Sequence, residues 1–172
     1  DPMWNVSILR YFNPVGAHES GLIGENPLND PTNLFPIISL VAAGKKEYLE
    51  IYGDDYSTKD GTGVRDYIHV CDLSNGHLAA IQNFKNEGSK HTINLGTGKG
   101  HSVLEIVKEF EIVSGNKIPY KICKRRIGDS SESYADVSYA KKLMGWSANR
   151  SLRKMCEDQW RWQKQLIHRK LM

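Results

Sequence analysis

Two arginines suited to holding an anion, and an aspartate suited to accepting from hydroxyls beside it, are the residues of this 172-residue chain that could best do chemistry together. Arg65 follows the run Gly61-Thr62-Gly63-Val64, and Arg126-Ile127-Gly128-Asp129 sets a cation and a carboxylate around one glycine. A guanidinium presents a planar fork of donors that matches a phosphate or a carboxylate. An Arg and an Asp three apart can face one ligand, cation to phosphate and carboxylate to ribose hydroxyls, which is the polarity pattern of a nucleoside diphosphate. The same residues also read as ordinary surface ion pairs, Arg65 with Asp66 or Asp72 and Arg126 with Asp129, because such pairs are common. The local residues leave both readings open.

A third constellation lies at Arg10-Tyr11-Phe12-Asn13-Pro14-Val15-Gly16-Ala17-His18. The apolar lead-in Val6-Ser7-Ile8-Leu9 predicts a short buried strand that ends at Asn13-Pro14, the kind of strand end where open α/β sheets place a ligand crevice. Singly, Asn13 and Asn33 read as turn or cap residues, and Tyr11, Phe12 and Tyr52 as core aromatics. The turn Gly96-Thr97-Gly98-Lys99-Gly100 follows a predicted strand and opens a predicted helix, as a dinucleotide fingerprint would. Its third glycine position holds His101, so it reads as a tight turn feeding a helix cap.

The elements that must position these residues alternate between strand and helix, which predicts an α/β fold. Gly16 to Pro31 is a long Gly/Pro/Asn-rich loop. A helix fits 33–43 with Asn33 as N-cap and Pro36 in its first turn. Leu49–Gly53 reads as a strand and Asp54–Asp66 as an exposed loop. Asp72 is expected to cap a helix bearing Leu73, His77, Ala80, Ile81 and Phe84 on one face. Strands are expected at 92–95 and 118–123. Ser102-x-x-Glu105 is a capping box for a helix ending at Gly115. Two last helices are placed at about 136–144 and 151–167, the second with Glu157 and Arg161 at the favourable i, i+4 spacing.

Composition narrows the function. An apolar fraction of 40% and a charged fraction of 25% suit a globular protein, and the net charge is only +3. The densest basic run, Lys124-Arg125-Arg126, is too small a footprint for nucleic acid. No apolar stretch approaches the roughly 20 residues that span a bilayer. Three cysteines, Cys71, Cys123 and Cys156, lack any C-x-x-C spacing and suggest reduced thiols in the cytoplasm. The dispersed histidines predict no metal site.

In order and spacing these segments resemble the UDP-glucose 4-epimerase family of extended short-chain dehydrogenases. The resemblance rests on RYFNPVGAH, Thr32-Asn33-Leu34, the turn at Tyr52–Tyr56, DGTGVRDYIHVCDL at 60–73, NLGTGKGHSVLE at 94–105, RRIGD at 125–129 and the terminal tryptophan helix. It implies a substrate-binding domain over about 14–172, with 1–13 ending the dinucleotide-binding domain and 67–115 partly returning to that sheet. It implies NAD as cofactor and a UDP-hexose as substrate. By position, Asn13 resembles the sugar contact, Asn33 and Leu34 the pair beside diphosphate and uridine, and Tyr52 the aromatic near the uracil. Arg65 and Arg126 resemble the diphosphate arginines, Asp129 the ribose carboxylate, and Tyr11 and Phe12 the residues near the nicotinamide. Ser133 stands where some members carry a tyrosine, which implies room for an N-acetylhexosamine. The chain is expected to hold no catalytic residue, having neither a Gly-x-x-Gly-x-x-Gly near its start nor a Tyr-x-x-x-Lys, and so to be inactive alone. The intact enzyme is expected to be a homodimer. Nucleotide-sugar dehydratases and decarboxylases share part of the pattern and are the alternative, as is a non-catalytic UDP-sugar-binding module.

Overall fold

The computed structural model describes residues 3–83 and 88–171. Strand β1 (Val6–Tyr11) pairs in parallel with β5 (Lys90–Leu95), so that Tyr11 lies opposite Leu95. A second sheet is built on β4 (Val64–His69), flanked by β2 (Asn13–Val15), β6 (Gly100–Ser102) and the short β8 (Glu132–Ser133). A third sheet pairs β3 (Leu49–Tyr52) in parallel with β7 (Tyr120–Cys123). The α/β expectation therefore holds, with most pairings parallel and β4–β6 antiparallel.

Helices α1 (Leu34–Ala42), α3 (Val103–Ser114) and α5 (Leu152–Leu171) close over one core in which Phe35, Ile38, Leu49, Ile51, Ile106, Phe110 and Met155 are buried. Helix α2 (Val70–Gln82) and the short α4 (Ser138–Met144) enclose a smaller core around Ile68, Leu73, Ile93, Leu95 and Trp146. The capping box forms as its spacing requires. The Ser102 hydroxyl accepts from the Glu105 amide, the Glu105 carboxylate accepts from the Ser102 amide, and the helix ends at Gly115.

Several local expectations are revised. Asp72 does not cap α2. The cap is His69, whose Nδ1 accepts from the Cys71 amide, while Asp72 reaches across the fold to the backbone of Asn149 and Arg150 and to the Arg150 guanidinium. Phe84 lies outside the described residues. Residues 64–66, expected in a loop, begin β4, because β6 and β8 supply ladder partners that no local pattern announces. Asn13 belongs to a strand rather than a turn. Glu157 pairs with Arg153, and Arg161 turns instead to Asp158, which is buried and also holds Lys154 and His69.

The glycine turn at 96–100 has a clear structural job. The Asp66 carboxylate, fully buried, accepts from the amides of Thr97, Gly98 and Ala135 and from the Thr97 hydroxyl. Gly96 is required there, since a Cβ would stand 2.6 Å from both Asp66 and Ala135. The turn's donors are consumed by the protein's own anion.

Candidate functional site

A cleft of about 260 Å³ opens where β2, β4, the N-terminus of α1, the end of β3 and the loop after β7 converge. Its lining brings together Asn13, Asn33, Leu34, Tyr52, Arg65, Arg126 and Asp129, which are dispersed over more than a hundred positions of sequence. Tyr11, Phe12 and Ser133 are outside that lining.

Asp129 is the pivot of the charge. One of its oxygens accepts from Arg126 Nε at 2.9 Å, and the other lies 3.9 Å from Arg65 Nη2. Arg65 is further fixed by donating to its own strand's Val64 carbonyl. Neither Asp66 nor Asp72 pairs with Arg65, contrary to the local ion-pair reading. Successive residues on a strand point to opposite faces, so Arg65 faces the cleft while Asp66 faces the glycine turn. The loop carrying Arg126 and Asp129 is held against β4 by β8, which sets Ser133 opposite Arg65.

Aromatic rings complete the cleft. The Arg126 guanidinium lies 4.8 Å above the Tyr52 ring, and the Tyr52 hydroxyl donates to Glu50 at 2.9 Å. That hydrogen bond to Glu50 raises the Tyr52 pKa, so the ring stays neutral. Tyr67, opposite Asn13 on the neighbouring strand, is pushed up to about 12 by burial. Asn33 sits at the N-cap position of α1 but its side chain does not cap, and instead donates weakly to Glu25. The first turn of α1, which lines the cleft, keeps the amides of Leu34 and Phe35 uncapped, Pro36 having no N–H and Ile37 donating to the Asn33 carbonyl, and a helix start of this kind favours an anion. Asp129 and Glu50 balance the two guanidinium groups in formal charge, but Glu50 is engaged by the Tyr52 hydroxyl, so Arg65 and Arg126 are the groups gathered to meet a phosphate-bearing ligand.

Sequence reasoning missed two contributors. Tyr56 lines the cleft with a buried hydroxyl that has no partner, and Arg125 stacks 4.1 Å over its ring while pairing with Asp55. The aromatic spacing Tyr52-x-x-x-Tyr56 beside Arg125-Arg126 was the available signal, because each arginine takes one tyrosine. Elsewhere, Tyr11 is half exposed at the end of β1. Its hydroxyl donates to His77 Nε2 at 2.6 Å while His77 Nδ1–H donates to the Leu73 carbonyl.

The spacing Tyr120-x-x-x-Lys124 does occur, which corrects the expectation of no such match in its letter. It begins on β7 and ends one residue beyond it, not on a helix. On a helix the two residues would be neighbours, whereas on a strand they stand roughly 13 Å apart. Among the described residues no group of His, Cys, Asp or Glu could hold a metal ion, and no helix is long and apolar enough to cross a membrane.

A family model described as GDP-mannose 4,6 dehydratase matches residues 3–159. The chain belongs to that family. Within it, the chain is 56% identical over 165 residues to the UDP-glucose 4-epimerase of Mus musculus, covering 96% of this chain and 48% of that protein. It is 55% identical over 163 residues to the UDP-glucose 4-epimerase of Bacillus subtilis, covering 95% and 48%. Two solved structures superpose over nearly the whole chain. One is the UDP-glucose 4-epimerase from Stenotrophomonas maltophila with bound NAD and formylated UDP-arabinopyranose (TM-score 0.94, 48% identity, 97% of this chain and 50% of that one). The other is that from Bifidobacterium longum in complex with NAD+ and UDP (TM-score 0.92, 51% identity, 96% and 49%). The chain spans about half the length of the curated relatives it matches.

Proposed function

We propose that this chain is the substrate-binding portion of an NAD-dependent UDP-glucose/UDP-galactose 4-epimerase. The observation that carries the reading is the cleft in which Arg65 and Arg126 flank Asp129 beside the Tyr52 ring and the start of α1. In this reading the two guanidinium groups take the diphosphate, exchanging part of their hold on Asp129 for phosphate oxygens. Asp129 accepts from the ribose hydroxyls. Tyr52 lies along the uracil, Asn33 and Leu34 lie at the junction of uridine and diphosphate, and Asn13 meets the hexose.

Strong contacts on the nucleotide leave the hexose loosely held. Such a division suits a reaction whose keto-sugar must turn over between removal and return of a hydrogen at C4. NAD supplies the acceptor and donor for that hydride when bound. The residues of this chain do not make a dinucleotide site by themselves, because the glycine turn that resembles one is filled by Asp66. In this proposal Tyr11, which ends β1, and Phe12, which follows it, border the nicotinamide.

The same reading divides the chain into 1–13, the end of a cofactor domain, and 14–172, the sugar-nucleotide domain, with 67–115 contributing β5 to the cofactor sheet. In support, β1 has β5 as its partner among the described residues while Val6 and Ile8 stay partly exposed. Parallel strands ordinarily have both faces covered. The intact enzyme, a cytoplasmic homodimer in this proposal, would supply the cover, and the present chain alone is inactive and binds UDP-sugar weakly. Ser133, small and opposite Arg65 on β8, leaves room beside the sugar C2 substituent and extends the substrate range to UDP-N-acetylhexosamines.

The test is to express this chain with its cofactor-binding half and assay interconversion of UDP-galactose and UDP-glucose. Turnover there, and none from the 172-residue chain with added NAD, is expected. A 4,6-dehydration product instead of the epimer would overturn the reading in favour of a dehydratase. Turnover of UDP-GlcNAc that disappears in Ser133→Tyr would support the wider range, and its absence in the parent would remove it.

A further inference from the structure

A second cavity, about 540 Å³ and larger than the candidate substrate cleft, lies on the other side of α1. Its walls come from loop 25–31, from Pro36 and Leu40 of α1, and from Leu166 and Ile167 of α5. Pro36 borders both cavities. The wall is anchored rather than merely draped. Trp162 Nε1 donates to the Glu25 carbonyl at 2.8 Å, and Arg161 donates to the Glu19 carbonyl. Gly24 lies so close that a Cβ would stand 2.5 Å from the Trp162 ring.

The floor of this cavity is polar. Gln159 and Gln163, one turn apart on α5, are 2% and 7% exposed and both line it. Among the described residues neither amide is hydrogen-bonded within the protein, and neither is sealed from water as the Tyr56 hydroxyl and Glu109 Oε1 are. Most of the other buried polar side chains behave differently. Ser39, Asp66, His69, Asp72, Ser102 and Asp158 all make hydrogen bonds within the protein. Two adjacent amides on largely buried side chains that open onto a half-open cavity leave donors and acceptors for something that enters it. The size is within the ordinary range of small-molecule sites, and the lining divides evenly between apolar residues, such as Pro36, Leu40, Leu166 and Ile167, and polar or charged ones.

We propose that this cavity is a second ligand site, which takes an uncharged small molecule with an apolar body and an amide edge that pairs with Gln159 and Gln163. An amide is favoured because a glutamine side chain presents one donor and one acceptor side by side and finds its complement in another amide. A phosphate is disfavoured, since Lys45 is the one cation of the lining and Glu25 and Asp30 share that lining. The site does not depend on the epimerase reading.

The probe is N-acetyl-leucine N-methylamide, titrated into the isotope-labelled chain while the glutamine side-chain amide signals are followed by NMR. Saturable shifts of the Gln159 and Gln163 signals are expected, with a dissociation constant on the order of 1 mM for a ligand of this size. UDP added to saturation should leave those two signals in place. The double variant Gln159→Leu/Gln163→Leu should bind at least ~10-fold more weakly. Leu166→Trp, which fills the cavity and leaves both amides intact, should abolish binding and keeps the test valid if the double variant fails to fold. No saturable shift at ~20 mM probe, far above that constant, overturns the proposal. Undiminished binding by folded Leu166→Trp overturns it equally.

Discussion

The Gly96–Gly100 turn and the Arg126–Asp129 loop combine glycine with polar or charged residues, and both follow a strand, yet they end with opposite chemistry. In the turn, backbone donors converge on a buried carboxylate of the protein itself, so nothing is left for a ligand. In the loop, Asp129 is shared by two arginines at unequal distances, and both guanidinium groups keep donors facing open space. An anion site is thus defined by donors left unspent, and a motif shows only that donors exist.

The largest test of this contrast is Asp66→Ala. It would strand the amides of Thr97, Gly98 and Ala135, and each buried unsatisfied donor costs about 1–3 kcal/mol. A loss of about 3 kcal/mol or more in urea unfolding is expected, and a loss near zero would mean the turn is not organised by Asp66. Arg126→Ala should do the reverse. Its exposed pair with Asp129 contributes little to folding. In the full-length enzyme UDP affinity should nevertheless fall roughly 10- to 100-fold by calorimetry, the value of a lost charge-assisted contact.

A smaller effect comes from the buried hub on α5. Burial holds the His69 pKa below the ordinary histidine value, and the Asp158 hydrogen bond only partly offsets this. The unfolded chain therefore binds a proton at a pH where the folded chain does not, and stability must fall as pH drops from about 7 through 6.5 toward the lower folded value. Denaturant midpoints between pH 7.5 and 5.5, about the window of an ordinary histidine, should decline in the parent and change less in His69→Gln. Raising ionic strength is the mildest test. Partly exposed arginines should lose UDP affinity with salt, while the turn around Asp66 should hold its stability.

How much could be read ahead depended on sequence distance. The Ser102–Glu105 capping box, the Gly115 helix end and the Arg126–Asp129 pair each lie within four residues, so their geometry follows from local spacing. Strand β4 was hidden because its first residues look like loop and become strand only against β6 and β8. Asp72 looked like a cap because its partners, Asn149 and Arg150, are distant in sequence.

The sequence by itself determined the family, the alternation of strand and helix, and which residues carry the charge, since these reside in residue type and short spacing. Only the tertiary structure decided which charges remain free. It turned Arg65 and Asp66 to opposite faces of one strand, spent Asp66 inside a turn thirty residues away, and left Arg65 beside Asp129. It also revealed the paired glutamines under loop 25–31. Satisfaction of a polar group depends on which distant atoms arrive beside it, and that is a property of the folded chain.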